Sequence, residues 1–226
     1  MKTLAITTST NRCGVALVGA AGTLAERRIE QGRLHAERIF SMIDEVLAEA
    51  GCTKRELELI ACDVGPGSFT GVRVGLATAK GIALGLGISI VGVGSLEAMA
   101  HAAHAHGTAR VVVAVLDARR GERFVGGQTS DGETFAARQV ANAELAALVA
   151  SLGADSVWCG EGTDDLESAR CIDDSSCRLP DAAWIGRLGA ERVRARGPDD
   201  LASLEPVYVR GPDAKLPAAA PDYRLR

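Results

Sequence analysis

A chain of 226 residues, 47% of them apolar, is long enough for one or two packed domains, and with 4% aromatics its core must be built from Val, Ile, Leu and Ala. A net charge of −4 argues against a chain that grips nucleic-acid phosphates unaided, because that binding runs on many basic side chains. Six cysteines without a Cys-x-x-Cys pair exclude a zinc ribbon and a thioredoxin motif, and fit small core and surface residues in a reducing compartment.

The chain opens with one Lys and a short apolar strand rather than a signal-peptide pattern. Leu4–Thr7, Gly14–Val18 and Leu24–Ile29 read as strands, the first two joined by a polar turn, Ser9–Arg12. Leu34–Ala50 reads as a helix ended by Gly51. Ile39, Ile43, Val46 and Ala50 form one apolar stripe, widened by Phe40 and Leu47 on one side and Met42 on the other. A stripe wider than the usual arc of about 100° suggests two packing partners.

Leu59–Val64, broken only by Asp63, reads as a buried strand. Gly65-Pro66-Gly67 ends it as a structural turn, and Ser68 or Thr70 caps the helix that follows. That helix carries Gly71, Gly75, Gly81 and Gly85, each costing about 1 kcal/mol against Ala in a free helix. Gly71, Gly75, Ala79 and Ala83 make one smooth ridge, and Ala77, Gly81 and Gly85 make a second. Two readings fit: both ridges face neighbours in the same domain, or one faces the core and the other a second subunit. A glycine turn opening a helix also suits a phosphate, but without a Gly-Lys-Ser/Thr ending this is no P-loop, and a tight structural turn is the preferred reading.

Ile88–Val93 is the next strand; the apolar run Ile82–Val93 is too short and too Gly-rich to span a bilayer, so a soluble cytoplasmic protein is expected. His101, His104 and His106 follow without a nearby carboxylate, and are read as exposed histidines rather than metal ligands. Val111–Leu116, a polar turn from Asp117 to Gly121, and Arg123–Gly126 repeat the design of the opening hairpin, the trace of a duplicated lobe. Asp117 suits either a cation or amide contact or an Asx turn. Asn142–Leu152 reads as a helix, Ser156–Gly160 as a strand, Glu161–Cys177 as a polar loop, and Ala182–Arg196 as a helix with a basic end. Cys171 and Cys177 are close enough in sequence to bridge that loop, but a disulfide is not expected. The tail after Gly211 has the composition of an extended or disordered segment.

The block Gly65-Pro-Gly-Ser-Phe-Thr-Gly71-Val-Arg-Val-Gly75 resembles the signature of the bacterial TsaB (YeaZ) family. His35-Ala-Glu-Arg38, Asp117-Ala-Arg-Arg-Gly-Glu122 and Glu205-Pro-Val-Tyr-Val-Arg210 resemble further family stretches, so the likeness runs over nearly the whole chain. It implies an α/β fold of two actin/Hsp70/sugar-kinase-like lobes with mixed sheets: residues 1–107, then 108–203, the tail 204–226 returning to the first. It implies a non-catalytic subunit for threonylcarbamoyladenosine (t6A) modification of tRNA. The partners would be the catalytic relative TsaD and the ATPase TsaE, with TsaC making the donor, and the chain would pair with itself when alone.

The chain departs from the enzymes of the superfamily at three places. It reads Ile6-Thr7-Thr8 where an Asp is usual, and Ser95 and Met99 stand where the catalytic relative carries a His pair. No catalytic residue, metal or cofactor is therefore expected. The resemblance puts the partner surface on the two helices of the first lobe, at Ile39, Phe40, Met42, Ile43, Val46, Gly71, Val74, Gly75, Thr78 and Gly81. The alternative is an independent enzyme of the superfamily, a glycoprotease-like metallopeptidase or an ATP-dependent phosphotransferase.

Overall fold

The computed structural model describes residues 1–30, 35–107, 109–164, 166 and 169–209. The expected helix start at Leu34, the side chains of His35 and Ala36, and the tail from Arg210 lie outside the described residues.

The chain runs β1 (Thr3–Thr7), β2 (Cys13–Gly19), β3 (Gly22–Ile29), α1 (His35–Glu49), β4 (Leu59–Asp63), α2 (Phe69–Leu86), β5 (Ser89–Val93) and α3 (Ser95–His104). It continues with β6 (Val111–Arg119), β7 (Glu122–Thr129), β8 (Thr134–Ala141), α4 (Asn142–Leu152), β9 (Ser156–Cys159), β10 (Arg170–Ile172), α5 (Ser175–Arg178) and α6 (Ala182–Arg196). The sheets have the orders β3-β2-β1-β4-β5 and β8-β7-β6-β9-β10. Each is an antiparallel three-strand meander extended by two parallel strands. The duplicated hairpin read from the sequence is therefore a duplicated sheet.

Each sheet is covered on both faces. On the first, Leu4, Ile6, Val15, Leu17, Ile60 and Cys62 pack with α1 and α2, while Ala5, Ala16, Leu59, Ala61, Val91 and Val93 pack with α6. On the second, Val112, Ala114, Leu116 and Phe124 pack with α3, and Val113, Val115, Val125 and Trp158 with α4. The helices thus cross over. α3, from the first half, lies on β6 and β7; α6, from the second half, lies on β1, β2 and β4. Boundaries at 107 and 203 separate the sheets but not the helices, because each half of the chain caps the other's sheet. Glu97 of α3 and Arg192 of α6 pin the crossing, with Nη2 donating to Oε1 at 2.5 Å.

The wide stripe of α1 is used inside the lobe. Ile39, Met42, Ile43 and Val46 are at most 3% exposed and belong to the first sheet's core, each buried side chain contributing about 1.5–3 kcal/mol. Their expected place on a partner surface is corrected accordingly; only Phe40 of that set faces out, 59% exposed. The segment expected to be a plain loop between Glu161 and Cys177 holds a 3-10 turn (Glu161–Thr163), β10 and α5. The tail returns to the first lobe as far as it is described. Asp199 pairs with Ile90, Leu204 joins that lobe's core, and Val207 N donates to Val64 O at 2.8 Å. No described helix is long and apolar enough to cross a membrane.

Candidate functional site

The glycine turn sits where the first lobe meets α3. Gly65 holds φ +94° and Gly67 lies so close to Ser9 that a Cβ would overlap its carbonyl oxygen. Ser68 caps α2, its Oγ accepting from Gly71 N at 3.3 Å, and Ser68 N donates to Ser9 O at 2.6 Å. Gly65 O in turn accepts from Ser95 N at 2.8 Å. Ser9 O thus takes up the Ser68 N–H at this helix start, while Ser68, Phe69 and Thr70 themselves are exposed.

Gly71 and Gly75 serve the same packing. A Cβ at Gly71 would overlap Thr8 O, and one at Gly75 would overlap Thr8 Oγ1. Thr8 Oγ1 donates to Gly71 O at 2.7 Å. The ridge Gly71, Gly75, Ala79, Ala83 is buried against the lobe's own β1–β2 turn and core, so Gly71 and Gly75 leave the expected partner surface. The second ridge is free: Gly81 and Gly85 have nothing within 4 Å of an added Cβ. Val74 and Thr78 are half-buried beside it, and Leu84 is 71% exposed.

Beneath the turn lies a group that motif reading passed over. Asp63 ends β4 at 2% exposure and accepts four hydrogen bonds. Thr7 Oγ1 and Ser9 Oγ donate to Oδ2 at 2.7 and 2.5 Å; Ser95 Oγ and Gly65 N donate to Oδ1 at 2.5 and 2.9 Å. Burial pushes the Asp63 carboxyl above its ordinary range, against the pull of these donors. The sequence signal was its place as the one charge in an otherwise apolar strand. The carboxylate absent at Thr7 is thus present one strand over, but walled in by hydroxyls. Met99 is wholly buried as well, so the departures at Thr7, Ser95 and Met99 line no open cleft.

Arg12 was also missed. At 2% exposure it leaves the β1–β2 turn, donates from Nη1 to Ser175 O and Leu179 O at 2.8 and 3.2 Å, and pairs with Glu30 at 2.9 Å. Asp117 makes the Asx turn: its Oδ1 accepts from Arg119 N at 2.9 Å, and Arg119 and Arg120 hold positive φ. Glu37 is exposed.

The histidines do not converge. His101 is half-buried, with burial pushing its pKa down; His104 Nδ1 is buried without a partner; His106 Nε2 lies 3.3 Å from Ser176 Oγ. No three His, Cys, Asp or Glu side chains come together among the described residues. Purified untagged protein is expected to carry no stoichiometric zinc or iron by elemental analysis; one equivalent that disappears in His101→Ala would contradict this. The described cysteines are all reduced, Cys171 exposed and the others buried.

Known proteins resemble this arrangement closely. The family model for TsaD, tRNA N6-adenosine threonylcarbamoyltransferase, matches residues 23–155. The Haemophilus influenzae tRNA threonylcarbamoyladenosine biosynthesis protein TsaB is 31% identical over 92% of both chains. YeaZ from Pseudomonas aeruginosa superposes with a TM-score of 0.77 at 28% identity, over 92% of this chain and all of that one. The activator of 2-hydroxyisocaproyl-CoA dehydratase from Clostridium difficile, solved with bound ADPNP, shares the actin-like fold: TM-score 0.53 at 9% identity, over 86% of this chain and 96% of that one.

Proposed function

The chain belongs to the TsaB family, and from that premise we propose that it is a non-catalytic, activating or scaffolding subunit for t6A modification of tRNA. Its partners in this reading are TsaD, which performs the transfer, and TsaE. It works in the cytoplasm, and it pairs with itself when alone.

The observation that carries the reading is the outer ridge of α2. A helix with glycines at 81 and 85 gives up roughly 2 kcal/mol of helix propensity, and nothing in the lobe uses the room they leave. Phe40 and Leu84, both exposed, add apolar surface on the helices that bear this ridge. A subunit that packs a helix against the ridge at short distance supplies the missing contact. The burial of Asp63 supports the non-catalytic half of the reading, since the one carboxylate near Thr7 faces no open cleft.

Reconstitution tests it. The chain alone is expected to show no threonylcarbamoyl transfer, peptidase activity or ATP hydrolysis, and the TsaD-family protein of the same source is expected to gain transfer activity when chain and TsaE-family protein are both added. Turnover by the chain alone at ordinary enzymatic rates, roughly 1 per second or faster, would defeat the proposal.

A further inference from the structure

Two of the six cysteines meet inside the second half of the chain. Cys159 ends β9 and Cys177 lies in α5; both are 0% exposed and share the core cluster of Leu96, Met99 and Leu179. Cys159 Sγ lies 3.7 Å from Met99 O, and Cys177 Sγ lies 3.5 Å from Asp174 O. The thiols hydrogen-bond to each other, Cys159 donating and Cys177 accepting. That bond, with burial, holds the Cys159 thiol well above its ordinary pKa, and it draws Cys177 below. Cys177 is thus the sulfur readier to give up its proton and attack.

α5 is a short surface helix whose only buried side chain is Cys177, with Asp173 and Ser175 exposed beside it. A segment held by so little buried surface opens locally at low cost, which gives a small oxidant its route to the sulfurs. Cys171, the exposed cysteine, is the wrong partner. β10 sets it opposite Trp158, on the α4 face of the sheet, while Ile172 stands opposite Cys159 on the α3 face. α5 is also where the first half grips the second: Arg12 Nη1 donates to Ser175 O and Leu179 O.

We propose that Cys159 and Cys177 form a redox-sensitive staple: hydrogen peroxide joins them in a disulfide that ties α5 to β9 and fixes the place where Arg12 holds the two halves together. The inference stands apart from the subunit reading above. The Cys177 sulfur attacks one peroxide oxygen, the O–O bond breaks, and the departing hydroxide takes the thiol proton as water, leaving a sulfenic acid. The Cys159 sulfur then attacks the Cys177 sulfur, the S–O bond breaks, and a second water carries off the Cys159 proton. Two thiols and one peroxide become one disulfide and two waters, the sulfurs losing two electrons to the peroxide oxygens. The new bond closes the loop that contains β10, so it restricts the unfolded chain and stops α5 lifting from α3. A small thiol reverses it by exchange, which makes the bond a signal rather than a permanent brace.

The test exposes the reduced full chain to hydrogen peroxide, quenches it in acid, denatures it, alkylates the remaining thiols and maps the digest by mass spectrometry. A peptide carrying Cys159 is expected to appear linked to one carrying Cys177, and to separate again with dithiothreitol. The oxidised chain should melt roughly 5–15 °C higher, and amide hydrogen exchange across α5 should slow. Cys171→Ser should leave all of this unchanged, whereas Cys177→Ala should abolish both the link and the shift. Should Cys177→Ala fold poorly, the digest of the wild-type chain decides by itself. Cys159 and Cys177 both alkylated once Cys171 is oxidised, or a link from either to another cysteine, would overturn the pairing. A Cys159–Cys177 link that leaves melting and exchange unchanged would overturn the staple.

Discussion

Gly75→Leu is expected to leave little or no folded protein, while Gly81→Leu, six residues on in the same helix, folds normally and loses the TsaD-family partner proposed above. At Gly75 even a Cβ overlaps Thr8 Oγ1, whose hydrogen bond to Gly71 O holds the β1–β2 turn against α2. Overpacking costs about 1–3 kcal/mol, and breaking that buried hydrogen bond adds about 1–3 more. Together, at about 2–6 kcal/mol, they reach the low end of an ordinary domain's stability, about 5–15 kcal/mol. At Gly81 the added side chain enters open space and improves helix propensity by nearly 1 kcal/mol. Its cost arises only when another helix lies there, and about 1–3 kcal/mol of misfit means roughly a ten- to hundredfold weaker complex. Circular-dichroism melts and calorimetric titration read both effects. Wild-type affinity in Gly81→Leu would move the partner surface to the second lobe or the tail, and a wild-type melt in Gly75→Leu would show the buried ridge misassigned.

Asp63→Ala should lower the melting temperature by roughly 5–15 °C, from a loss of about 2–4 kcal/mol in a chain of this size. Removing the carboxylate relieves one buried charge but strips the acceptor from Gly65 N–H and from three hydroxyls at once. Ser9 and Ser95, 3.1 Å apart, still have each other; Gly65 N–H has nothing. Asp63→Asn should be milder, because its oxygen still serves Gly65 while its amide forces the hydroxyls on the other side to turn and accept.

The pH dependence has a definite sign. Burial raises the folded-state pKa of Asp63 above the unfolded value, so folding binds the proton more tightly than the unfolded chain does. The resulting stability is full below the unfolded pKa, near 3.8, and fades as pH rises through the raised folded pKa. Subtracting the Asp63→Asn stability curve from the wild-type curve should therefore leave a difference that falls as pH climbs from the acid side. A difference that rises over that range would mean the four donors outweigh burial.

Much of the fold could be read from local pattern. The ends of α4 and α6 follow from Gly153 and Gly197 after the last turn and, for α6, from the Asp181 cap. The strands of both meanders announce themselves by apolar runs between polar turns. What local pattern cannot carry is partnership across the chain. β10 and α5, of three and four residues, are too short for any period to register. β8 exposes alternate residues through Thr134–Val140 with few β-branched side chains, so its strand character comes from pairing with β7. The two ridges of α2 are equally smooth in sequence, and only Thr8, some sixty residues earlier, decides which one is interior. Asp63 was visible as a misplaced charge, but its donors come from three separate segments, as far apart as Ser9 and Ser95. Cys159 falls in a strand and Cys177 at the end of a polar loop by local pattern, and nothing in either segment says that their thiols meet.

The crossing of α3 and α6 ties the two halves to each other. Each half lends its last long helix to the other's sheet. Severed at the link near residue 108, the first fragment would bare Ala5, Ala16, Leu59 and Ala61 to water, and the second would bare Val112, Ala114 and Leu116. Each fragment would keep the helix it lends, α3 or α6, but that helix would have lost the sheet it packs on. The two halves are therefore expected to unfold as one unit, in a single thermal transition.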